Sequence, residues 1–508
     1  MSAKQLSRQS ELLASELENL TVVDDAVSAR RLANWEAPAV SLLPELLGDI
    51  FLRCIYDDKY QGPEHILARI SSYRQMIVSV CHRWRQVARG TQALWAVTKF
   101  SPSRFASLNP GRNDFSQRVL QSSERVSHDL ELAGTAPMTL VSWLPYDSAM
   151  SPEHIARLEY CFESTVVPIF PRCKRIVLGS EDESPLKLLD FSSKQLTKLE
   201  SLDVRTSSFR RRTDIPSQTL DLSHACNIRD LTIRISESWG LASAVAIISP
   251  KLADATKLQT LTLTGLVDFK AAFEIVSQAC SLRSLVWSPA CHLPPLQILH
   301  EEIHLPYLRL LKLGFAALSI LPLLNAPNVL TFTVSDATPN GPTSLPEQAQ
   351  FPHLRALALM ESSGSLNEQL LPAFLHKHPT LEWFALENTF STSLASACVT
   401  AQKLRAVEAH GDPMEMDGTR LLLGHWAGRV ASGNMVSSLY EMKLINDSRN
   451  GPCYYVPEDD DDYPVKLFAC HPGILVHEIH RPYFPWHWPK DWDELFHRED
   501  PSYQTCFE

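Results

Sequence analysis

One short phrase constrains this chain more than anything else in it. Beyond residue 120 the sequence returns repeatedly to L-x-x-L-x-L. It reads CKRIVL from Cys173, LESLDV from Leu199, IRDLTI from Ile228, LQTLTL from Leu258, LRSLVW from Leu282, LRLLKL from Leu308, VLTFTV from Val329, LRALAL from Leu354, LEWFAL from Leu381, LRAVEA from Leu404 and LYEMKL from Leu439. An earlier segment, HDLEL around Leu130 and Leu132, reads as a strand that opens the series. The L-x-L ending is a short strand whose alternate side chains point inward. The residues between phrases must return the chain through a helix or turn, as FKAAFEIVSQAC and QLLPAFLHKHP suggest. A single unit of this kind cannot bury its own apolar face, whereas stacked units share a continuous core under a parallel sheet. The expected class is therefore α/β.

From Leu199 to Leu439 there are nine steps averaging about 27 residues, inside the range of leucine-rich repeats, which the phrases resemble. That resemblance implies an irregular solenoid over residues 120–450 with a parallel concave sheet. The irregularity shows at the ninth residue of each phrase, where the family often has Asn or Cys. Here those positions hold Ser207, Ser236, Leu266, Ala290, Ala316, Ala337, Ser362 and Thr389, so uneven curvature and varied loops are expected. Strand alternation puts the residues between the leucines on the concave side. Asp203 and Arg205, Thr232 and Arg234, Thr260, Thr262 and Thr264, and Lys312 make that face polar, and Arg210, Arg211 and Arg212 extend it towards the rim. Such a surface suits an extended or acidic partner segment better than a small apolar ligand, and Arg210 to Arg212 read either as a solvated loop or as a site for an acidic or phosphorylated segment.

Residues 40–97 have a different character. In SLLPELLGDIFLRCIYDD, Pro44 sits just inside a helix start and Glu45 follows in the first turn, where the helix dipole favours it. Leu43, Leu46, Leu47, Ile50 and Phe51 recur at spacings of three and four, which makes one apolar stripe. A second helix is read over ISSYRQMIVSVCHRWRQVARG, with Met76, Ile77, Val80, Cys81, Trp84 and Val87 on one face and Gly90 as its stop. TQALW brings Leu94 and Trp95 back towards that face. A helical unit this short buries too little surface to be comfortable alone, so it needs a partner surface. Composition leaves open whether that surface is the rest of this chain or another protein.

The three pieces LLPELLGDIFLRCI, VCHRWRQVA and TQALW resemble, in order, the F-box of fungal-type F-box proteins. The resemblance covers only residues 40–97. It implies docking to the Skp adaptor of a cullin-RING ubiquitin ligase. Leu43, Pro44, Leu46, Leu47, Ile50 and Phe51 would form the first docking helix, Val80, Cys81 and Trp84 the later one, and Leu94 and Trp95 the closing contact. The gap DDKYQGPEHILARISSYRQ is longer than the usual F-box spacing and reads as a loop or an extra helix. The implied function is a non-enzymatic receptor: the F-box holds the adaptor and through it the cullin and its RING partner, and the repeats hold an unknown protein substrate. The alternative is a Skp-binding scaffold outside ubiquitination.

Charge and motif content narrow the remaining classes. The net charge of -11 argues against general nucleic-acid binding. Most of the excess is local, since residues 451–508 hold 12 Asp/Glu against 4 Lys/Arg. PEDDDDYP reads there as a solvated acidic loop, and RPYFPWHWPKDWDELF, with Trp486, Trp488 and Trp492, as an aromatic C-terminal cap. Residues 1–39 read as amphipathic helix around Leu12, Leu13, Leu17 and Leu20. Eleven cysteines without a CxxC pair suit reduced thiols, and no apolar stretch approaches a signal peptide or membrane span. The expected location is cytoplasmic or nuclear, with no membrane partner. No phosphate loop, nucleophile elbow or dinucleotide turn occurs. His300, Glu301 and His304 form a literal HExxH, but Pro306 would end its helix at once, and His477 with His480 lacks that spacing. No catalytic residue, metal or cofactor is expected.

Overall fold

The computed structural model describes residues 42–56, 63–102, 114–144, 151–180, 196–207, 218–236, 248–252, 254–289, 302–335, 351–359, 374, 377–387, 403–404, 406–411, 441–446 and 475–478. Several sequence expectations lie outside these residues: the N-terminal amphipathic segment, Arg210 to Arg212, His300, Glu301, His480, the acidic loop and the C-terminal aromatic segment. The chain divides into two compact units, one of residues 1–99, 124–139 and 502–508, the other of residues 100–123 and 140–501.

The first unit is helical: α1 (Pro44–Tyr56), α2 (Pro63–Val80), α3 (His82–Gly90), the short turn α4 (Gln92–Trp95), strand β1 (Val97–Phe100) and the C-terminal half of α5 (Asp114–Ala133). Part of the long gap after α1 is thus helix. The single helix expected through Cys81 is two. Cys81 is extended, at φ -156 and ψ 171, and its Sγ accepts a hydrogen bond from the Trp84 backbone N at 3.4 Å, so a thiol caps α3. Phe51 packs on Trp84 with ring centroids 5.1 Å apart, and Trp95 Nε1 donates to Ala88 O at 2.6 Å. Arg74, on α2, is buried and ties the unit together. Its guanidinium donates to Leu94 O and Val97 O, both at 2.7 Å, approaches Asp129 at 3.5 Å, and lies 5.2 Å from the centre of the Trp95 ring. Thr98 Oγ1 also donates to Asp129, at 2.9 Å. Burial raises the Asp129 carboxyl above its ordinary value, and Arg74 and Thr98 pull it back.

HDLEL is not a strand. Leu130 and Leu132 lie in α5, where Val119, Ser122, Val126, Asp129 and Ala133 are buried at helical spacing. The two-residue alternation there is an accident on a 3.6-residue period.

The second unit is mixed α/β around a large parallel sheet. After β2 (Met138–Leu144) and α6 (Pro152–Cys161), each of the eleven phrases carries a strand. β3 (Cys173–Ser180), β4 (Ser201–Ser207), β5 (Gln218–Leu222), β6 (Asp230–Ser236), β7 (Ile248–Leu252), β8 (Thr260–Gly265) and, after helix α7 (Phe269–Gln278), β9 (Ser284–Pro289) follow in chain order. Then come β10 (Ile303–His304), β11 (Leu310–Gly314), β12 (Leu324–Asn325), β13 (Thr331–Ser335), β14 (Ala356–Leu359), β15 (Trp383–Glu387), β16 (Ala406–Gly411), β17 (Glu441–Asn446) and β18 (Leu475–Glu478). From β3 onward the phrase strands and β18 pair in parallel and in chain order; β5 with β7 and β10 with β12 form two small parallel pairs between phrases. Returns therefore contain strand pairs as well as helix. No helix among the described residues is long and apolar enough to cross a membrane.

Among the described residues, eight phrases, from Leu199 to Leu381, are preceded by a turn that the leucine pattern alone does not reveal. Leu196, Ala225, Ala255, Ala279, Leu305, Ala326, Phe351 and His378 each stand three residues before a phrase. Each accepts, through its carbonyl, the backbone N–H of the phrase's first residue, and all eight side chains are buried. The side chain just before the phrase then ties successive turns together. Asn227 donates to Thr197 O at 2.7 Å, Lys257 to Cys226 O at 2.9 Å, Asn328 to Pro306 O at 2.7 Å, and Thr380 to Leu354 O at 2.7 Å. These residues do the turn-bonding expected of the ninth phrase position.

His378 is the polar member of the eight buried turn residues. Its Nδ1 lies 2.9 Å from Phe351 O, its ring sits 4.4 Å from Phe374, and Nε2 has no hydrogen-bond partner among the described residues. Burial lowers its pKa below 6.5. Between that ordinary value and the lower folded one, the unfolded chain binds a proton that the folded chain refuses, so stability falls as pH drops through this window. His378→Leu should stabilise the second unit by about 1 kcal/mol or more at neutral pH, because it removes an unsatisfied buried nitrogen. It should also flatten the acid slope below about pH 6.5 in denaturant titrations.

Candidate functional site

Two surfaces gather the residues that the sequence singled out, one in each unit. On α1 the apolar stripe splits into two faces. Leu47 and Phe51 are buried, while Leu43, Leu46 and Ile50 are 62%, 52% and 41% exposed. Positions 43, 46 and 50 recur at helical spacing and share one side of the helix. On α2, Met76 and Val80, one turn apart, are 51% and 50% exposed. Five large apolar side chains thus face water on two packed helices of one small unit, a feature that marks an interaction surface. Pro44 is exposed at the helix start, whereas Leu94 and Trp95 are buried core and Trp84 is half-buried against Phe51. Of the expected docking residues, then, Leu43, Pro44, Leu46, Ile50 and Val80 are available to a partner. Leu47, Phe51, Leu94 and Trp95 support them from inside, and Cys81 serves as a cap.

The sheet of the second unit carries the other set. Register places Asp203, Thr232 and Thr262 in one row across β4, β6 and β8, and Arg205, Arg234 and Thr264 in the next. Lys312, half-buried, continues the first row beside Val286 of β9. The rows form, but their members are unequally accessible. Asp203 and Thr262 are buried rather than open, since strands about 4.8 Å apart let neighbouring rows cover a short side chain. Arg205 lies across Asp203 and bonds both its oxygens, Nη2 to Oδ2 at 2.8 Å and Nε to Oδ1 at 3.0 Å. Arg234 is exposed, and among the described residues it makes no ion pair. Loss of water around it, and then the charge of Arg205, lower its pKa from the ordinary arginine value, while Asp203 raises it. At the edge of the second row the Trp143 ring occupies the space over Gly179, where a Cβ would come within 1.9 Å of it.

Catalytic alternatives find little geometry. Ile303 and His304 are strand, so the helical face that HExxH requires is not formed at His304, and Glu302 accepts a bond from Asn325 Nδ2 at 2.7 Å. Among the described residues no three His, Cys, Asp or Glu side chains gather as a metal site. Burial pushes the Cys173 thiol up to about 12, which makes it a poor nucleophile.

The Asp203–Arg205 pair is two-pronged and only partly exposed. A double-mutant cycle on Asp203→Ala and Arg205→Ala, read by denaturant unfolding, should return a coupling of about 1 kcal/mol, at the upper end for surface pairs. No protein-family model and no curated protein matches this sequence, so its functional reading rests on the residues themselves.

Proposed function

We propose that this chain is a non-enzymatic receptor of a Skp/cullin/F-box ubiquitin ligase. In this reading residues 40–97 are an F-box, and residues 120–450 are an irregular leucine-rich-repeat solenoid that presents a protein substrate. The observation that carries it is the unburied apolar stripe of Leu43, Leu46, Ile50, Met76 and Val80. Leu43, Leu46, Ile50 and Val80 fall within the pieces that resemble the F-box, on the face that its docking helices would turn to the adaptor, and Met76 stands one turn before Val80. A stable helical unit whose core is already closed by Leu47, Phe51, Leu94 and Trp95 has no internal use for five more large apolar side chains.

The repeat reading is supported by the coincidence of every phrase with a strand of one parallel sheet, and by the recurring turn three residues upstream of the phrases. The chemistry of ubiquitin transfer would belong to the cullin's RING partner and its conjugating enzyme, with this chain supplying position. A Skp-type adaptor, a cullin and a protein substrate are the partners this reading requires.

Separating face from core also selects the right variants. Truncating Trp84 would remove the partner of Phe51 and damage the fold, so a loss of binding there would be ambiguous. Leu46→Asp with Ile50→Asp changes only exposed positions. Purified from cells with its partners, that double variant should lose the Skp-type adaptor and the cullin together, by roughly a hundredfold if each side chain contributes about 1.5 kcal/mol. Its unfolding midpoint should match the parent's. Adaptor bound at parental strength would end the F-box reading, and adaptor without any cullin would favour a scaffold outside ubiquitination.

A further inference from the structure

The concave face is unevenly open. In each phrase strand the residues between the core side chains share that face, and register aligns them in rows across the sheet. On β13 the three such residues, Thr331, Thr333 and Ser335, are all buried, as are Ala356 and Ala358 on β14. β4, β8, β9 and β11 each bury one, namely Asp203, Thr262, Ser288 and Gly314. On β6 alone among these strands do all three reach solvent. Asp230 and Thr232 are half-buried and Arg234 is exposed, while Leu231, Ile233 and Ile235 between them are core. The sheet is therefore most open to a partner at β6, and its exposed side chain there is a cation.

Arg234 makes no hydrogen bond or ion pair among the described residues. Register sets it between Arg205 of β4 and Thr264 of β8. Arg205 is committed to Asp203, bonding both carboxylate oxygens. Loss of water disfavours the Arg234 cation first, and the charge of Arg205 then counts against it more than Asp203 counts for it. The fold thus leaves this guanidinium in a repulsive field that an incoming anion would relieve. Its planar fork takes a carboxylate through two parallel bonds, and partial loss of water strengthens them. On either side, Thr232 and Thr264 are half-buried, and their hydroxyls make no hydrogen bond among the described residues, so both can bond the backbone of an extended segment. A phosphate monoester carries nearly two charges and would call on a second fork. The neighbouring fork is already on Asp203, so the site matches a single carboxylate.

We infer that an extended segment of a protein partner docks on the concave face across β4, β6 and β8, with one aspartate or glutamate side chain held by Arg234. This deepens the receptor reading and rests on it only for the expectation that the carboxylate arrives on a protein. It also narrows the expected surface: Arg205 and Asp203 become support for Arg234, and β13 and β14 fall outside the docking area.

The test uses the purified full-length chain and an arrayed degenerate peptide library whose central residue is glutamate, glutamine or phosphoserine. Retention should be roughly tenfold higher on the glutamate arm than on the glutamine arm, as one charge-assisted pair would give, and should fall as salt is raised. The phosphoserine arm should not exceed the glutamate arm. Arg234→Ala should bring glutamate down to the glutamine level, and Arg234→Lys, which keeps the charge but loses the fork, should recover only part of the difference. The exposed Arg234 side chain makes no bond that the fold needs, so both variants should unfold at the parent's midpoint. Arg229→Ala removes an equal charge from an exposed position at the entry to the same strand, and should leave the glutamate preference intact. Equal retention on the glutamate and glutamine arms, a parental preference in Arg234→Ala, or an equal loss in Arg229→Ala overturns the inference. A phosphoserine arm above the glutamate arm overturns the assignment to a single carboxylate. The assay contains no adaptor, and Leu46→Asp with Ile50→Asp should keep the glutamate preference, so failure here is distinct from failure of the F-box reading.

Discussion

A single backbone device sets the geometry of the second unit. At the entry to the strands one carbonyl accepts two successive N–H groups from the next phrase: Glu200 O from Arg229 and Asp230, Arg229 O from Gln259 and Thr260, Gln259 O from Arg283 and Ser284. Arg283, Arg309, Leu330 and Arg355 continue the same arrangement to Trp383, with all bonds between 2.7 and 3.1 Å. A shared acceptor of this kind leaves no freedom to slip, since a shift of one residue would break two bonds and turn every leucine of the strand to the wrong face. Register is therefore fixed before the strand begins. The rows of side chains that cross the sheet, from Asp203 to Lys312 and from Arg205 to Ser335, follow from it.

The strands were legible in the sequence because each phrase combines two-residue alternation with a repeat, and the repeat distinguishes it from chance. HDLEL shows what happens without that support. Leu130 and Leu132 alternate as a strand would, yet the five buried positions of α5 follow a helical period that a five-residue window cannot display. The turn three residues before the eight phrases from Leu199 to Leu381 is hidden in the sequence for another reason. Its first residue is Leu, Ala, Phe or even His, so side-chain identity carries little signal, and the backbone hydrogen bond defines the position. An aligned reading of LTKL, ACNI, ATKL, ACSL, LPYL, APNV, FPHL and HPTL would have exposed it.

The helical unit was legible in outline and not in detail. An apolar stripe tells which residues leave water, without saying whether they meet the rest of the chain or another molecule. Leu43, Leu46, Leu47, Ile50 and Phe51 look equivalent in sequence, and only packing separates the buried pair from the exposed three. The break at Cys81 was hidden because cysteine is not among the residues expected to cap a helix. Arg74 carries no sequence sign of burial, because an arginine in an amphipathic helix reads as surface. Here its guanidinium satisfies two carbonyls and one carboxylate away from water, and that geometry makes an arginine tolerable in a core.

The irregular spacing of the phrases is a consequence of where register is held. Because the ladder fixes each strand at its entry, the chain between phrases need only return to the same starting height. It does so through the β5–β7 pair, through α7, or through the 3-10 segment Phe315–Leu323. The ladder itself places little demand on side-chain identity, since its bonds are made by backbone that any residue except proline supplies. That freedom lets Leu330 occupy the same row as Arg283, Arg309 and Arg355 without disturbing the sheet. Where opposite charges fall on neighbouring strands of the row, as at Lys174 with Glu200 and Arg355 with Glu382, side chains add a second link to the one the backbone already makes.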